Sequence, residues 1–293
     1  MADQTSVTAA AAGTIGIGGD LTVNRLGFGA MRITGRGIWG APPDRDAAKA
    51  VLRRAVELGV NLIDTADSYG PHVSETLIAE ALYPYPDDLV VATKGGLERT
   101  GPWQWPTNGR PEHLKEACES SLRRLKLDQI PLYQLHRPDP AVPLEESVGA
   151  LVELREQGKI RHLGLSNVTE EQLRQAQRVT AIVSIQNRYN LDDRVSDSLI
   201  DLCEQEAMAF LPWAPIQDLD HNPALREIAG RHRATARQVV LAWLLARSPA
   251  LLPIPGTGTV PHLEDNLAAA GLQLSAAEVD ALSTGATLSS PGQ

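Results

Sequence analysis

The sequence predicts an α/β protein built as a (β/α)8 TIM barrel, preceded by a short N-terminal β-hairpin. Three observations carry this. Short apolar runs alternate with amphipathic segments through eight strand-like units from residue 25 onward. A length of 293 residues suits one such barrel, which routinely reaches ~250 residues or more as a single unit. Third, protic side chains recur where the runs end: Asp64 closes Asn61-Leu-Ile-Asp64, Lys94 closes Leu89-Val-Val-Ala-Thr-Lys94, and His136 closes Pro131-Leu-Tyr-Gln-Leu-His136. Tyr69 lies just past the first. In a parallel barrel these ends converge on the rim where catalytic residues are collected.

The elements follow in order. Residues 1–13, rich in Ala, Ser and Thr, read as a disordered tail without the basic start or Leu-rich core of a signal peptide. One domain is expected from 14 to 293, opening with a hairpin over 14–23 that turns at Gly18-Gly19-Asp20 and is placed to plug one barrel end. Strands are expected at 25–31, 61–65, 89–94, 131–136, 160–166, 181–186, 207–212 and 251–254. The intervening helices are expected at 44–58, 74–82, 111–126, 145–157, 170–178 and 194–206, then 223–232 and 235–247. Ala47, Ala50, Val51, Ala55 and Leu58 mark one face of the first helix, and Gly59 is its stop. Thr169 with Gln172, and Ser275 with Glu278, have the spacing of capping boxes, and Pro111 suits a first helical turn.

Composition narrows the function classes. With 43% hydrophobic and 22% charged residues, a large core forms without a metal or disulfide framework, and no metal site is expected. The net charge of −9, with no Lys/Arg run, argues against nucleic acid or an anionic membrane as partner. No apolar stretch approaches the ~20 residues that span a bilayer. Two cysteines, Cys118 and Cys203, fit a reducing compartment, so the cytoplasm is expected.

The rim residues point to proton transfer. A phenol with a pKa of about 10 is a poor acid or base at neutral pH, but a neighbouring ammonium favours its phenolate. Lys94 is placed to lower the Tyr69 pKa, Asp64 to orient Lys94, and His136 to bond a substrate oxygen or join the proton path. Any one of these residues alone is more often a cap or a packing group. Four on one rim are not.

Asn61-Leu-Ile-Asp-Thr-Ala-Asp-Ser-Tyr-Gly70, followed by Lys94 and Gln134-Leu-His136, closely resembles the aldo-keto reductases from about residue 25 to 282. The resemblance implies that Asp64, Tyr69, Lys94 and His136 form the family's catalytic tetrad, with Tyr69 as general acid in reduction and general base in oxidation. It further implies that Ser166, Asn167 and Gln186 hold the nicotinamide amide while Trp213 stacks on its ring. The loop Ile254-Pro-Gly-Thr-Gly-Thr259 enters a helix near Pro261, so Gly256, Thr257 and Thr259 are placed to cradle phosphate. Where many family members carry Lys, Ser and Arg, this chain has Gly256, Thr257 and His262. Asp265 and Asn266 match the adenine-contacting Glu-Asn pair, and NADPH (NADP+) is the expected cofactor.

The same loop, with Gly37-Ile-Trp-Gly-Ala-Pro-Pro-Asp-Arg45, Tyr69-Gly-Pro-His72 and Ala81-Leu-Tyr-Pro-Tyr85, resembles a bacterial subgroup that includes pyridoxal reductases. The expected partner is a small-molecule carbonyl substrate, pyridoxal being the first candidate, with Trp39, Trp103 and Trp105 as aromatic walls and a short C-terminal loop leaving the pocket open. The alternatives are an alcohol or sugar dehydrogenase using the same site, and a non-catalytic NADPH-binding redox sensor resembling potassium-channel β-subunits. No oligomeric state is specified.

Overall fold

The computed structural model describes residues 7–216 and 222–285. The hairpin comes first, as β1 (Thr14–Ile17) and β2 (Leu21–Asn24), antiparallel in the register Ile17 to Leu21. Its turn needs left-handed backbone, which Gly18 and Gly19 supply at φ 65° and 86°. Ile17, Leu21 and Val23 then bury against Leu62, Val90, Leu132 and Leu252 inside the barrel. This apolar floor seals the N-terminal end.

Seven parallel strands each pair with the next in chain order. They are β3 (Phe28–Gly29), β4 (Leu62–Asp64), β5 (Val90–Gly95), β6 (Ile130–Leu135), β7 (Ile160–Ser166), β8 (Ser184–Gln186) and β9 (Ala209–Phe210). The expected eighth strand at 251–254 is corrected to a stave held by scattered bonds. Phe210 N–H donates to Ala250 O, Leu252 N–H to Phe210 O and Gly27 N–H to Pro253 O, which closes the ring. Pro253 and Pro255 have no N–H, so no continuous ladder can run through this segment. The first strand is likewise shorter than expected, because the chain turns into a 3-10 helix at Ala30–Ile33.

The helices are α1 (Arg45–Glu57), α2 (Val73–Leu82), α3 (Pro111–Leu125), α4 (Leu144–Glu156), α5 (Glu170–Gln177), α6 (Asp197–Gln205), α7 (Pro223–His232), α8 (Ala236–Arg247), α9 (Val260–Ala268) and α10 (Ala276–Thr284). Their apolar faces and the outer faces of the strands share one large core. Both expected capping boxes form, Thr169 with Gln172 and Ser275 with Glu278. The buried stripe of α1 is Ala48, Val51, Leu52 and Ala55, whereas Ala47 and Ala50 face solvent. Leucine at position 52 outweighs two alanines in choosing the inward face.

Part of the expected tail is also built in. Ala9–Ala12 form a 3-10 turn, Ala9 is fully buried, and its N–H donates to Leu58 O. Residues 1–6 of that tail, and residues 286–293 of the expected C-terminal loop, lie outside the described residues. Among the described residues no helix is long and apolar enough to cross a membrane.

The hairpin turn is locked from below by the first residues of β7. Asp20 accepts from Arg161 and lies 2.6 Å from His162 Nε2, and a Cβ on Gly18 would sit 2.2 Å from the His162 ring. Gly18→Ala therefore combines a left-handed alanine with a displaced imidazole. It should lower unfolding free energy by about 1–2 kcal/mol or more. Urea unfolding measures this loss, and turnover per folded molecule should be unchanged.

Candidate active site

The barrel register brings the four rim residues together. Gly29 pairs with Asp64, Asp64 with Ala92, and Lys94 with Gln134, so the ends of β3 to β6 meet at one level. Lys94 is 0% exposed, and its three N–H donors are all used. They reach Asp64 Oδ2 at 2.7 Å, Thr65 O at 2.8 Å and Tyr69 OH at 3.4 Å. The other carboxylate oxygen of Asp64 accepts from Gln186 Nε2 at 2.8 Å and Gln134 Nε2 at 3.2 Å. Asp64 is thus fixed from both sides.

His136 follows β6 and stands edge-on to Tyr69, ring centres 5.7 Å apart. Its Nδ1 is 3.3 Å from Ser68 Oγ. Burial holds its pKa well below the ordinary imidazole value, and the charges of Lys94, Arg137 and Arg99 push the same way. The ring is therefore neutral at pH 7. Burial would also discharge Lys94, but the carboxylate of Asp64, with Tyr69, holds its pKa above the ordinary value.

For Tyr69 the expectation of a lowered pKa is overturned. Burial raises it, and the opposing charge of Lys94 does not win. The physical reason is that the ammonium is already paired with Asp64 at 2.7 Å, while the phenolate would have to form out of water. Tyr69 is a neutral phenol with a cation beside its oxygen.

These groups open into a cleft of about 700 Å³ that runs along the rim to α9. Asp64, Tyr69, His136, Ser166, Asn167, Gln186, Trp213, Gly256, Thr257 and His262 all line it. Ser166 Oγ donates to Gln186 O at 2.8 Å, and Trp213 Nε1 to Asn167 Oδ1 at 3.1 Å, so these side chains hold one another in place. Gly29 and Gly256 form a wall of bare backbone. A Cβ on Gly256 would lie 2.5 Å from Gly29 O, and one on Gly29 would lie 2.6 Å from Ile254 O.

Three expected cofactor residues sit off the cleft wall. Thr259 is the N-cap of α9, its N–H donating to Thr257 Oγ1 at 3.2 Å. Asp265 faces α8, where it accepts from Thr235 Oγ1 and from Gln238 Nε2 at 2.8 Å. Asn266 is buried, one helical turn beyond His262, and its Oδ1 has no partner. Main chain alone on the Gly29–Gly256 stretch of the cleft suits an extended ligand with polar edges.

The tryptophans divide. Trp103, 61% exposed, and Trp105 line the cleft, with Trp105 edge-on to Tyr69 at 6.3 Å. Trp39, 37% exposed, is absent from the lining and packs beside the Arg99 guanidinium at 5.6 Å. Several lining or supporting residues escaped the sequence reading: Gln134, Ser68, Arg99, Arg137, Arg32 and Arg237. Arg32, whose Cγ would lie 3.6 Å from a Cβ on Gly256, Arg237 and His262 all line the cleft, and none of the three has an ion-pair or hydrogen-bond partner among the described residues. Unpaired guanidinium groups beside a loop entering a helix N-terminus suit a ligand carrying several negative charges.

A closed parallel ring with an ammonium, phenol, carboxylate and imidazole at one rim, beside a long cleft lined also by guanidinium groups, defines a barrel enzyme equipped to move a proton next to an extended anionic ligand. The chain belongs to the Aldo/keto reductase family, whose model matches residues 25–284. It is 47% identical over 277 residues to an uncharacterized oxidoreductase of Schizosaccharomyces pombe, spanning 94% of this chain and 90% of that protein. It is 43% identical over 266 residues to pyridoxine 4-dehydrogenase of Escherichia coli, spanning 88% and 93%. An aldo/keto reductase of Klebsiella pneumoniae, solved with NADP and acetate, superposes with a TM-score of 0.78 at 29% identity, covering 92% of this chain and 94% of that one. The fold and the dependence on a nicotinamide cofactor follow from this membership.

The neutrality of His136 has a measurable consequence. The unfolded chain takes up an imidazole proton near pH 6.5 that the fold excludes, so the stability due to this residue is complete above that pH and falls as pH drops through it. In an NMR titration the His136 ring resonances should stay flat between pH 7.5 and 6. Movement with a midpoint near 6.5 would show a solvated ring instead.

Proposed function

We propose that the chain reduces an aldehyde or ketone with NADPH, Tyr69 donating the proton, and that pyridoxal is its substrate. The observation that carries this is Lys94, whose three donors converge on Asp64, Thr65 and the Tyr69 oxygen. A phenol kept protonated by burial is an available acid, and the ammonium beside it stabilises the phenolate left once the proton has gone. Ser68 can donate to His136 Nδ1, which leaves Nε2–H to hydrogen-bond the carbonyl oxygen. A nicotinamide held in the cleft would supply the hydride. Asp64, held by Gln134 and Gln186, keeps the ammonium aimed.

Ser166, Asn167 and Gln186 would hold the nicotinamide amide, with Trp213 along its ring. The choice of NADPH is supported by Arg32 and Arg237, whose guanidinium groups can neutralise phosphate, and by His262, which can hydrogen-bond it, all three lining the cleft. Pyridoxal is supported by the 43% identical relative named pyridoxine 4-dehydrogenase, since pyridoxal reduction is the reverse direction of such a reaction. Trp103 and Trp105 offer flat walls for an aromatic ring. The oxidative direction uses the same residues with Tyr69 as base, and the intact tetrad weighs against a purely sensory role.

Two sets of variants test the reading. Wild-type protein should oxidise NADPH with pyridoxal, and Tyr69→Phe should lower kcat by roughly 10²–10⁴ while NADPH binding, followed by fluorescence, stays within about twofold. Normal turnover by Tyr69→Phe would remove it as the acid. Arg237→Ala and His262→Ala should each weaken NADPH by about tenfold and leave NADH nearly unaffected. Equal losses for both cofactors would take these residues out of the selection.

A further inference from the structure

Arg99, in the loop after β5, spends all five of its N–H donors on backbone carbonyl oxygens. Nε reaches Gln104 O at 2.9 Å, Nη1 reaches Ile38 O at 2.7 Å and Ser68 O at 2.9 Å, and Nη2 reaches Gly37 O at 3.0 Å and Gly101 O at 3.2 Å. These acceptors belong to the loops after β3, β4 and β5. Three loops therefore share one guanidinium. Its faces are taken by Trp105, whose ring centre is 3.6 Å from the guanidinium carbon, and more loosely by Trp39 at 5.6 Å.

Each contact bears on the site. Ser68 precedes Tyr69 and faces His136 Nδ1, Ile38 packs against Tyr69 and Ala66, and Trp105 meets the Tyr69 ring edge-on. Gly37 O accepts a second bond from Trp103 N–H at 3.1 Å, which ties the other cleft tryptophan to the same carbonyl. Gly37 has φ 75°, and a Cβ there would lie 2.7 Å from Pro102 Cβ, so the loops approach as closely as backbone allows. No carboxylate pairs with Arg99 among the described residues. Carbonyl dipoles and aromatic faces balance its charge instead.

We propose that Arg99 is the positioning residue of the substrate pocket: it assembles three rim loops into one wall and sets Trp103 and Trp105 against the tetrad, and so selects ring-bearing carbonyl compounds. This rests on reading the rim as a carbonyl site. Lysine cannot replace it, because an ammonium has three donors and no flat face for Trp105 to stack on.

The test uses Arg99→Lys and Arg99→Ala with NADPH and two aldehydes, 4-nitrobenzaldehyde and propanal. KM for the aromatic aldehyde should rise about tenfold with kcat within about threefold, while kcat/KM for propanal falls by no more than that about threefold and the Kd of NADPH stays nearly constant. A proportionate loss for both aldehydes, or a weakened NADPH complex, would reduce Arg99 to general loop support and overturn the proposal. A second readout needs no turnover: Arg99→Lys should move the indole N–H resonances of Trp39 and Trp105 and leave those of Trp213 and Trp243 in place. Unmoved Trp105 would sink the idea. If wild-type protein reduces neither aldehyde, the carbonyl reading fails by itself, and the indole resonances still decide the role of Arg99. If Arg99→Ala does not fold, Arg99→Lys carries both measurements.

Discussion

An ammonium without solvent contact is tolerated only where every proton on it has a partner, and the active end of this barrel is arranged around that demand on Lys94. Its partners come from a single short stretch, the Asp64 carboxylate, the Thr65 carbonyl and the Tyr69 hydroxyl. One buried cation therefore dictates the path of the loop after β4. Removing one member of a buried pair typically costs about 3–5 kcal/mol, because the survivor stays charged and out of water. The arrangement that prepares Tyr69 to act also keeps the loop from rearranging.

The surroundings extend the same logic. Behind the loop, Thr65 Oγ1 donates to Ser74 Oγ, which donates to Ala30 O, joining β4, α2 and the 3-10 turn. On the outer side of β5, Thr93 Oγ1 donates to Glu75, which also takes Arg124 from α3. The strand carrying Lys94 is thus pinned through its neighbours on both faces. Polar networks of this kind rigidify a site when their members are satisfied, and a preorganised site loses little energy to reorganisation during reaction.

The strands were readable because they are short apolar runs that end in the residues the chemistry uses, as Asp64, Lys94 and His136 do. Capping at Thr169 and Ser275 was readable because the signal spans four adjacent residues. What escaped notice depends on distance along the chain. Gln134 is an ordinary strand residue until the register sets it beside Asp64, 70 positions away, and Arg99 looks like a solvated loop cation until its carbonyl acceptors are known. The raised pKa of Tyr69 was misjudged because a sequence displays the charge of Lys94 but not the extent of burial. Trp39 was misplaced for a related reason, since stacking on Arg99 and lining a cleft look alike in one dimension.

The hairpin floor has a different consequence. Ile17, Leu21 and Val23 seal the barrel at the end opposite the tetrad, and Asp20, Arg161 and His162 latch the turn from outside. Part of the molecule's durability therefore lies at the end away from the chemistry. An engineer seeking a hardier catalyst can redesign the latch, add a second one or shorten the turn, with the strands as a rigid spacer between those changes and the rim.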